Sequence, residues 1–99
     1  MTIRMHRGSA NVFEDAGFPP AEAAHMLIRS QLTHLLTNLI RERGLTQKQA
    51  AKAMHVTQPR ISDLVRGRFD LFSIDMLIEM LAHVEVSVTL KATRGKRVA

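Results

Sequence analysis

The spacing of apolar residues predicts a chain built mainly of helices. From residue 21 to residue 43 apolar side chains recur mostly at intervals of three and four, the period of one buried helix face. Pro19 and Pro20 precede this stretch and Gly44 follows it, which is typical of a helix start and a helix end. We therefore predict one long amphipathic helix, or two helices with a break near Ser30.

Two shorter helices follow with only a few residues between them. Thr46 and Gln49 fit the S/T-x-x-E/Q capping box, so a helix is expected to begin at Gln47. Thr57 is placed to cap a second short helix, and Gly67 is placed to end it.

A further helix and a strand complete the pattern. Ser73 is a good N-cap for the helix IDMLIEMLAHV. Beyond this helix Val84, Val86, Val88 and Leu90 alternate with polar residues, which predicts a half-buried β-strand. No other segment has a strand pattern, so we predict that the strand pairs with its counterpart in a second copy across a two-fold axis. The alternative is an extended tail that packs along its own core.

The predicted fold class is all-α, with about five helices and a C-terminal β-strand for dimerisation. The predicted segments are a flexible N-terminal arm at 1–20, a helical domain at 21–83 with a two-helix motif at 46–66, a dimerisation strand at 84–91 and a basic tail at 92–99.

Composition limits the kinds of protein that this chain can be. Its 99 residues suit one domain, and 45% of them are hydrophobic but only 4% aromatic, so the core is expected to be aliphatic. Cysteine is absent, which excludes disulfides and thiolate metal sites. No apolar run approaches the ~20 residues of a membrane span, and the N-terminus lacks the pattern of a secretory signal. We expect a cytoplasmic protein with no membrane partner.

Positive charge is concentrated on the two short helices. The net charge is +5. Residues 45–68 carry five Lys or Arg against one Asp, and residues 91–99 carry four Lys or Arg, whereas residues 69–90 carry four acids and no Lys or Arg. This distribution indicates a protein that binds a polyanion. An ordinary solvated surface is the alternative, and the same two interpretations apply to the basic tail.

Two short helices joined by a tight turn have the arrangement of a helix-turn-helix. On the second helix Ile61, Leu64 and Val65 share one side, and the small Ala50 and Ala51 allow the first helix to cross close to it. The opposite, polar side of the second helix would then meet base edges in the major groove of DNA.

Four residues of the second helix are candidates for reading bases. Gln58 suits adenine, Arg60 suits guanine, and Pro59 can lie against a thymine methyl. Asp63 can accept a hydrogen bond from cytosine, but pairing within the helix with Arg60 or Arg66 is the alternative.

Other polar residues are candidates for phosphate contacts, which orient a protein on DNA without reading its sequence. They are Gln47, Thr57, Ser62, Arg66 and Arg68. The expected partner of a homodimer is a double-stranded operator with a pseudo-palindromic sequence.

The stretch LTQKQAAKAMHVTQPRISDLVRG resembles the Xre/Cro family of helix-turn-helix regulators, which are related in fold to lambda repressor. The shared features are the leading L-T-Q, the inward Ala, the T-Q that opens the second helix, the Ile-Ser-x-Leu face and the closing basic-Gly pair. The resemblance implies a lambda-repressor-like domain and DNA contacts at Gln47 and the four base-reading candidates, with backbone contacts near Arg66 and Arg68. The family usually has Gly where His55 stands, a site that favours left-handed backbone, which His adopts at a modest cost.

The flanking segments NVFEDAGFP and GRFDLFSIDML, together with the terminal strand, resemble the HigA-type antitoxin subfamily. This resemblance implies a dimer that represses its own operon and neutralises a RelE-like ribonuclease toxin encoded beside it. The arm adds Val12, Phe13 and Phe18, apolar anchors of the kind that fold on a partner. A stand-alone Xre-family repressor without a toxin partner is the alternative.

No residues with the spacing of a catalytic, cofactor or metal site are found. The five histidines are scattered, none lies four residues from another, and no Gly-rich phosphate loop is present. We therefore expect no enzyme activity, no cofactor and no bound metal. A helix pair used only for dimerisation is disfavoured by the outward Gln58, Arg60 and Arg66.

Overall fold

The computed structural model describes residues 12–92, which form five α-helices and one 3₁₀ helix. The helices are α1 (Val12–Asp15), α2 (Pro20–Glu42), α3 (Gln47–Met54), α4 (Gln58–Val65), the 3₁₀ helix (Phe69–Leu71) and α5 (Ile74–His83). The predicted all-α architecture is confirmed. The first eleven residues of the predicted arm and residues 93–99 of the predicted tail lie outside the described residues.

The long helix α2 is the scaffold on which the other helices pack. It runs unbroken past Ser30 for 23 residues, so the single-helix interpretation is the correct one. Pro20 occupies the first turn, where its missing N–H leaves no intrahelical bond unmade. Helices α1, α4 and α5 all contact α2, and α3 is held between α4 and α5.

The core is aliphatic, as the composition predicts. Its largest fully buried side chains are Leu32, Leu36, Met54, Ile61, Leu64, Leu77, Met80 and Leu81. Phe72 is the one buried aromatic residue in the described part of the chain, at 2% exposure. Burial of this kind stabilises a domain by roughly 1.5–3 kcal/mol for each large apolar side chain.

Each of the five α-helices ends on the same hydrogen-bond pattern. A residue with positive φ follows the helix, its N–H donates to the carbonyl three residues back, and the next N–H donates five residues back. This is the Schellman termination. The positive-φ residues are Gly17, Gly44, His55, Gly67 and Glu85. Glycine adopts this conformation without steric cost, whereas His55 and Glu85 carry a Cβ that opposes it.

The segment after α5 differs from the prediction. Residues 84–92 contain no β-strand in the described part of the chain. The alternation is nevertheless real, because Val84 and Val86 are buried at 6% and 5% exposure while Glu85 and Ser87 are exposed. The apolar side packs on the chain's own core, and Val86 uses its N–H to close α5 rather than to pair with a strand.

The predicted arm contains an element that the sequence pattern does not indicate. Helix α1 is only four residues long, and it is attached through aromatic contacts. The Phe13 ring meets the Phe69 ring edge to face, with centroids 5.7 Å apart, and meets the Phe18 ring at 6.4 Å. Phe69 belongs to the 3₁₀ helix, so α1 contacts the corner that follows α4.

No helix in residues 12–92 has both the length and the hydrophobicity to cross a bilayer.

Candidate nucleic-acid interface

The first turn of α3 is held by a reciprocal pair of hydrogen bonds. The Gln49 N–H donates to Thr46 Oγ1 over 3.1 Å, and the Thr46 N–H donates to Gln49 Oε1 over 2.9 Å. These bonds satisfy two donors that a helix start otherwise leaves without partners. The predicted capping box and the start of α3 at Gln47 are confirmed. Gln47 and Lys48 therefore lie at a fixed helix N-terminus, where the helix dipole favours anions.

The turn between α3 and α4 is tight because one residue adopts left-handed backbone. His55 has φ 59° and ψ 42°, the conformation predicted for this site. The Val56 N–H reaches back to the Ala51 carbonyl over 3.0 Å. Ala50 and Ala51 are buried where α3 packs against α4, and their small side chains permit a close crossing. The two helices and the turn form the predicted helix-turn-helix.

The polar side of α4 is accessible at its N-terminal end. Ile61 and Leu64 are fully buried and Val65 is half-buried, whereas Gln58 and Pro59 are exposed. The remaining site residues predicted on α4 and beside it are half-buried (Arg60, Ser62, Asp63) or exposed (Thr57, Arg66, Arg68). Together with the half-buried Gln47 on α3, all nine lie on the motif and on the corner that follows it.

The side chains of Thr57 and Gln58 make no hydrogen bond to any of residues 12–92. Thr57 is the N-cap of α4 by backbone conformation, but its side chain makes no capping bond. The Gln58 side-chain amide has no partner among residues 12–92. The start of α4 therefore presents the Thr57 hydroxyl, the Gln58 side-chain amide and the Gln58 N–H at one place, and these are suitable donors for phosphate and base edges.

Arg60 is held in place rather than extended into solvent. Its Nη1 donates to the Leu71 carbonyl over 2.7 Å, and its Cζ lies 5.2 Å from the centroid of the Phe72 ring. Both partners belong to the junction between the 3₁₀ helix and α5. The sequence does not predict this contact, because Arg60 and Leu71 are on different elements.

Two ion pairs lie on the outer surface of α4 and the following corner. Arg66 Nη2 is 3.0 Å from Asp63 Oδ1, so Asp63 pairs within the helix. Arg68 Nε is 3.9 Å from Asp70 Oδ1, and both of these side chains are more than half exposed. Exposed pairs of this type contribute about 0–1 kcal/mol and break readily. Arg66 and Arg68 can therefore exchange their carboxylate partners for phosphates at little cost.

The four residues predicted for dimerisation do not share one environment. Val84 and Val86 are buried in the chain's own core, Val88 is half-buried against it, and Leu90 is 71% exposed. In the described part of the chain, therefore, only the last two have apolar surface left for a second copy.

Two features of this region lie outside the predicted site. The His55 and His83 rings stack, although their sequence positions give no sign of it. The Leu71 carbonyl and the Phe72 ring restrain Arg60. The sequence does not indicate this role, because two adjacent apolar residues such as Leu71 and Phe72 are a common pattern. Among residues 12–92 no three His, Asp or Glu side chains are close enough to hold a metal ion.

Comparison with known families agrees with this geometry. A family model described as a helix-turn-helix domain matches residues 12–93, a span that includes all five helices and more than half of the chain. No curated protein matches the sequence.

Proposed function

The chain belongs to a helix-turn-helix domain family, and from that premise we propose that it is a sequence-specific transcriptional repressor that binds operator DNA as a homodimer. The observation that carries the proposal is the N-terminal end of α4. There Gln58 and Pro59 are exposed, and the Thr57 hydroxyl is free of its own helix.

The proposed base-reading residues are Gln58, Pro59, Arg60 and Asp63. Gln58 pairs with adenine, Pro59 contacts a thymine methyl, and Arg60 donates to guanine. Asp63 reads cytosine where it is released from Arg66, and otherwise remains in its ion pair. Each good contact discriminates against a wrong base by roughly 1–3 kcal/mol.

The proposed phosphate contacts come from α3, from α4 and its N-cap, and from the corner that follows α4. Their residues are Gln47, Thr57, Ser62, Arg66 and Arg68. Gln47 is supported by the rigid start of α3, and Arg66 and Arg68 are supported by the weakness of their exposed ion pairs. Such contacts supply most of the affinity and make it depend on salt.

We propose that two copies pair through the segment after α5. Within the described residues the backbone of 87–92 makes no hydrogen bond, so its N–H and C=O groups are available to an antiparallel partner. Val88 and Leu90 supply the apolar surface, because Val84 and Val86 are committed to the core. A two-fold dimer requires a pseudo-palindromic operator, with half-sites ~34 Å apart.

The test is equilibrium binding to a fluorescent duplex of the DNA upstream of the gene, at several salt concentrations. If each protomer neutralises about three phosphates, log affinity falls against log salt with a slope of roughly −5. The double variant Gln58→Ala/Arg60→Ala should bind the operator no better than scrambled DNA. A slope near zero, or equal binding of both duplexes by wild type, contradicts the proposal.

A second function, as the antitoxin of a type II toxin–antitoxin operon, is also proposed, and it rests on the resemblance to HigA-type antitoxins. It gains support from the segment at residues 12–18, which keeps apolar surface exposed at Val12 (63%) and Phe18 (37%). Exposed apolar residues next to a short helix suit a protein partner such as a RelE-like ribonuclease.

The antitoxin proposal is tested with the protein encoded beside the gene. Val12→Asp should weaken its capture at least tenfold, whereas the matched control Ala21→Asp, at another exposed position of the N-terminal region, should not. Operator binding should survive both changes. If the neighbouring gene encodes no protein that this chain binds, the alternative holds: a stand-alone Xre-family repressor.

A further inference from the structure

Arg60 occupies the third position of α4 and is restrained from two directions. The Leu71 carbonyl accepts a short hydrogen bond of 2.7 Å from Nη1. The guanidinium carbon lies 5.2 Å from the centroid of the Phe72 ring, within the range of a cation–π contact. Arg60 itself is half-buried, so the charged group covers the ring while remaining partly accessible.

The two restraining groups are themselves fixed. Phe72 is 2% exposed and belongs to the main core cluster. Its N–H donates to the Phe69 carbonyl, which closes the 3₁₀ helix, and the next residue, Ser73, caps α5 through the Met76 N–H. The ring and the neighbouring carbonyl are therefore both anchored in the fold, and they contact the Arg60 side chain in the absence of a ligand.

The restraint leaves the useful donors of the guanidinium free. A guanidinium has five N–H donors, and the Leu71 carbonyl uses one on Nη1. Nε and Nη2 make no hydrogen bond to the described residues. These adjacent nitrogens form a planar fork, and such a fork matches the O6 and N7 acceptors of guanine in the major groove.

We propose that Phe72 is a specificity-determining positioning residue, which together with the Leu71 carbonyl presents the Nε–Nη2 edge of Arg60 to a guanine. This inference rests on the proposed function of α4 as the DNA-reading helix. A guanidinium that is already ordered loses less conformational entropy on binding than a mobile one. This smaller entropy loss increases affinity only where a guanine accepts hydrogen bonds from both donors. A buried residue that never contacts DNA thus sets the preference at one base pair.

The experiment compares Phe72→Leu with Phe69→Leu. Both variants replace phenylalanine by leucine at the same corner, but only Phe72 lies under Arg60. Dissociation constants are measured for the operator, for duplexes in which each G·C pair of a half-site is replaced in turn, and for scrambled DNA. For wild type we expect a loss of roughly 5- to 150-fold at one G·C pair, and this loss should be absent in Arg60→Ala.

Phe72→Leu should reduce the discrimination at that pair by at least threefold and leave the binding of scrambled DNA and the salt dependence unchanged. Phe69→Leu should retain the discrimination. Equal weakening of every duplex by Phe72→Leu would mean that Phe72 serves only the core, and the inference would be overturned. If the wild-type protein binds operator and scrambled DNA with equal affinity, the proposed DNA-reading function, on which this inference rests, is wrong.

A second measurement uses the wild-type protein alone, so it tests the inference even if Phe72→Leu does not fold. In the free wild-type protein the ¹⁵N relaxation of the arginine Nε groups reports side-chain order. Arg60 Nε should be nearly as rigid as the α4 backbone and should be shifted by the Phe72 ring current. Arg41 serves as the reference, because its side chain is exposed and its hydrogen bond is to Asn38 of its own helix. An Arg60 as mobile as Arg41 overturns the inference.

Discussion

The imidazole rings of His55 and His83 lie face to face, with centroids 3.9 Å apart and planes inclined by 5°. His55 is the left-handed residue of the turn between α3 and α4, and His83 is the last residue of α5. The stack therefore joins the helix-turn-helix turn to the end of a helix that is distant in sequence. Both side chains are exposed, so the contact is expected to be weak but specific.

The stack should be measurable as an energetic coupling. Relieving the left-handed strain by His55→Gly stabilises the turn but also removes the stacked ring. We expect His55→Gly to be about 0.5 kcal/mol more favourable in a His83→Ala background, where no stack can be lost, than in wild type. Urea unfolding followed by circular dichroism gives both values. His25→Ala, an exposed histidine on α2, is the control background, and equal effects in all three would mean that the rings do not interact.

Glu85→Gly should stabilise the domain. Glu85 has φ 64° and ends α5, a position that glycine occupies without steric cost. We expect a gain of about 1 kcal/mol and a rise in Tm of roughly 4–8 °C. Glu85→Ala, which removes the charge but keeps the Cβ, should show no such gain. If both variants melt at the same temperature, the backbone conformation is not the source of the effect.

Thr46→Ala should lower the stability of the domain, whereas Thr57→Ala should weaken operator binding. Thr46 Oγ1 caps α3, so its loss should destabilise the domain by about 1 kcal/mol. Thr57 makes no side-chain cap, so its replacement should leave stability near that of wild type. It should nevertheless weaken operator binding several-fold, because the proposed phosphate contact of Thr57 is lost. Equal destabilisation by the two changes would contradict the observed capping.

Val86→Ala and Leu90→Ser separate the core from the proposed dimer contact. Val86 is 5% exposed, so truncation should cost roughly 1–2 kcal/mol whatever the protein concentration. Leu90 is 71% exposed, so Leu90→Ser should leave unfolding at low concentration unchanged and weaken dimerisation in analytical ultracentrifugation. Wild type and Leu90→Ser that sediment identically across the concentration range would exclude Leu90 from the interface.

Asp63→Asn should strengthen the sequence-independent binding of DNA. The change releases Arg66 from its pair and removes a negative charge from the face of α4. We expect a several-fold higher affinity for scrambled duplexes at low salt and a stability change within about 0.5 kcal/mol, since the Arg66 side chain of the pair is 62% exposed. Asp75→Asn, on the exposed surface of α5, is the matched control. An Asp63→Asn affinity no higher than that of this control would place Arg66 away from the phosphates.

The sequence was informative at several positions where the cause is local, although Thr57, which is also predicted as a cap, makes no side-chain capping bond. The capping box of Thr46 and Gln49, the Ser73 cap and the left-handed His55 all depend on residues within a few positions of each other. Such signals require no contact between distant parts of the chain, and all three predictions are confirmed. The nine-residue DNA face remains a prediction, although the structure does collect these residues on the motif and its corner.

Features set by distant contacts could not be predicted in this way. Alternation from Val84 to Leu90 correctly separates apolar from polar positions, but a period of two does not reveal what the apolar side meets. Helix α1 packs on α2 and contacts the 3₁₀ helix through the rings of Phe13 and Phe69, and the position of Arg60 depends on Leu71 and Phe72. Neither contact leaves a periodic trace in the sequence.

The common termination of the five helices has a consequence for the speed of folding. Each stop signal joins atoms no more than five residues apart, so its hydrogen bonds need no contact between distant parts of the chain. Little loop entropy is lost in forming such contacts, and helical domains dominated by them fold in microseconds to milliseconds. The chain is therefore expected to fold rapidly for a domain of its size, although the helix ends at His55 and Glu85 carry a conformational cost that the three glycine ends do not.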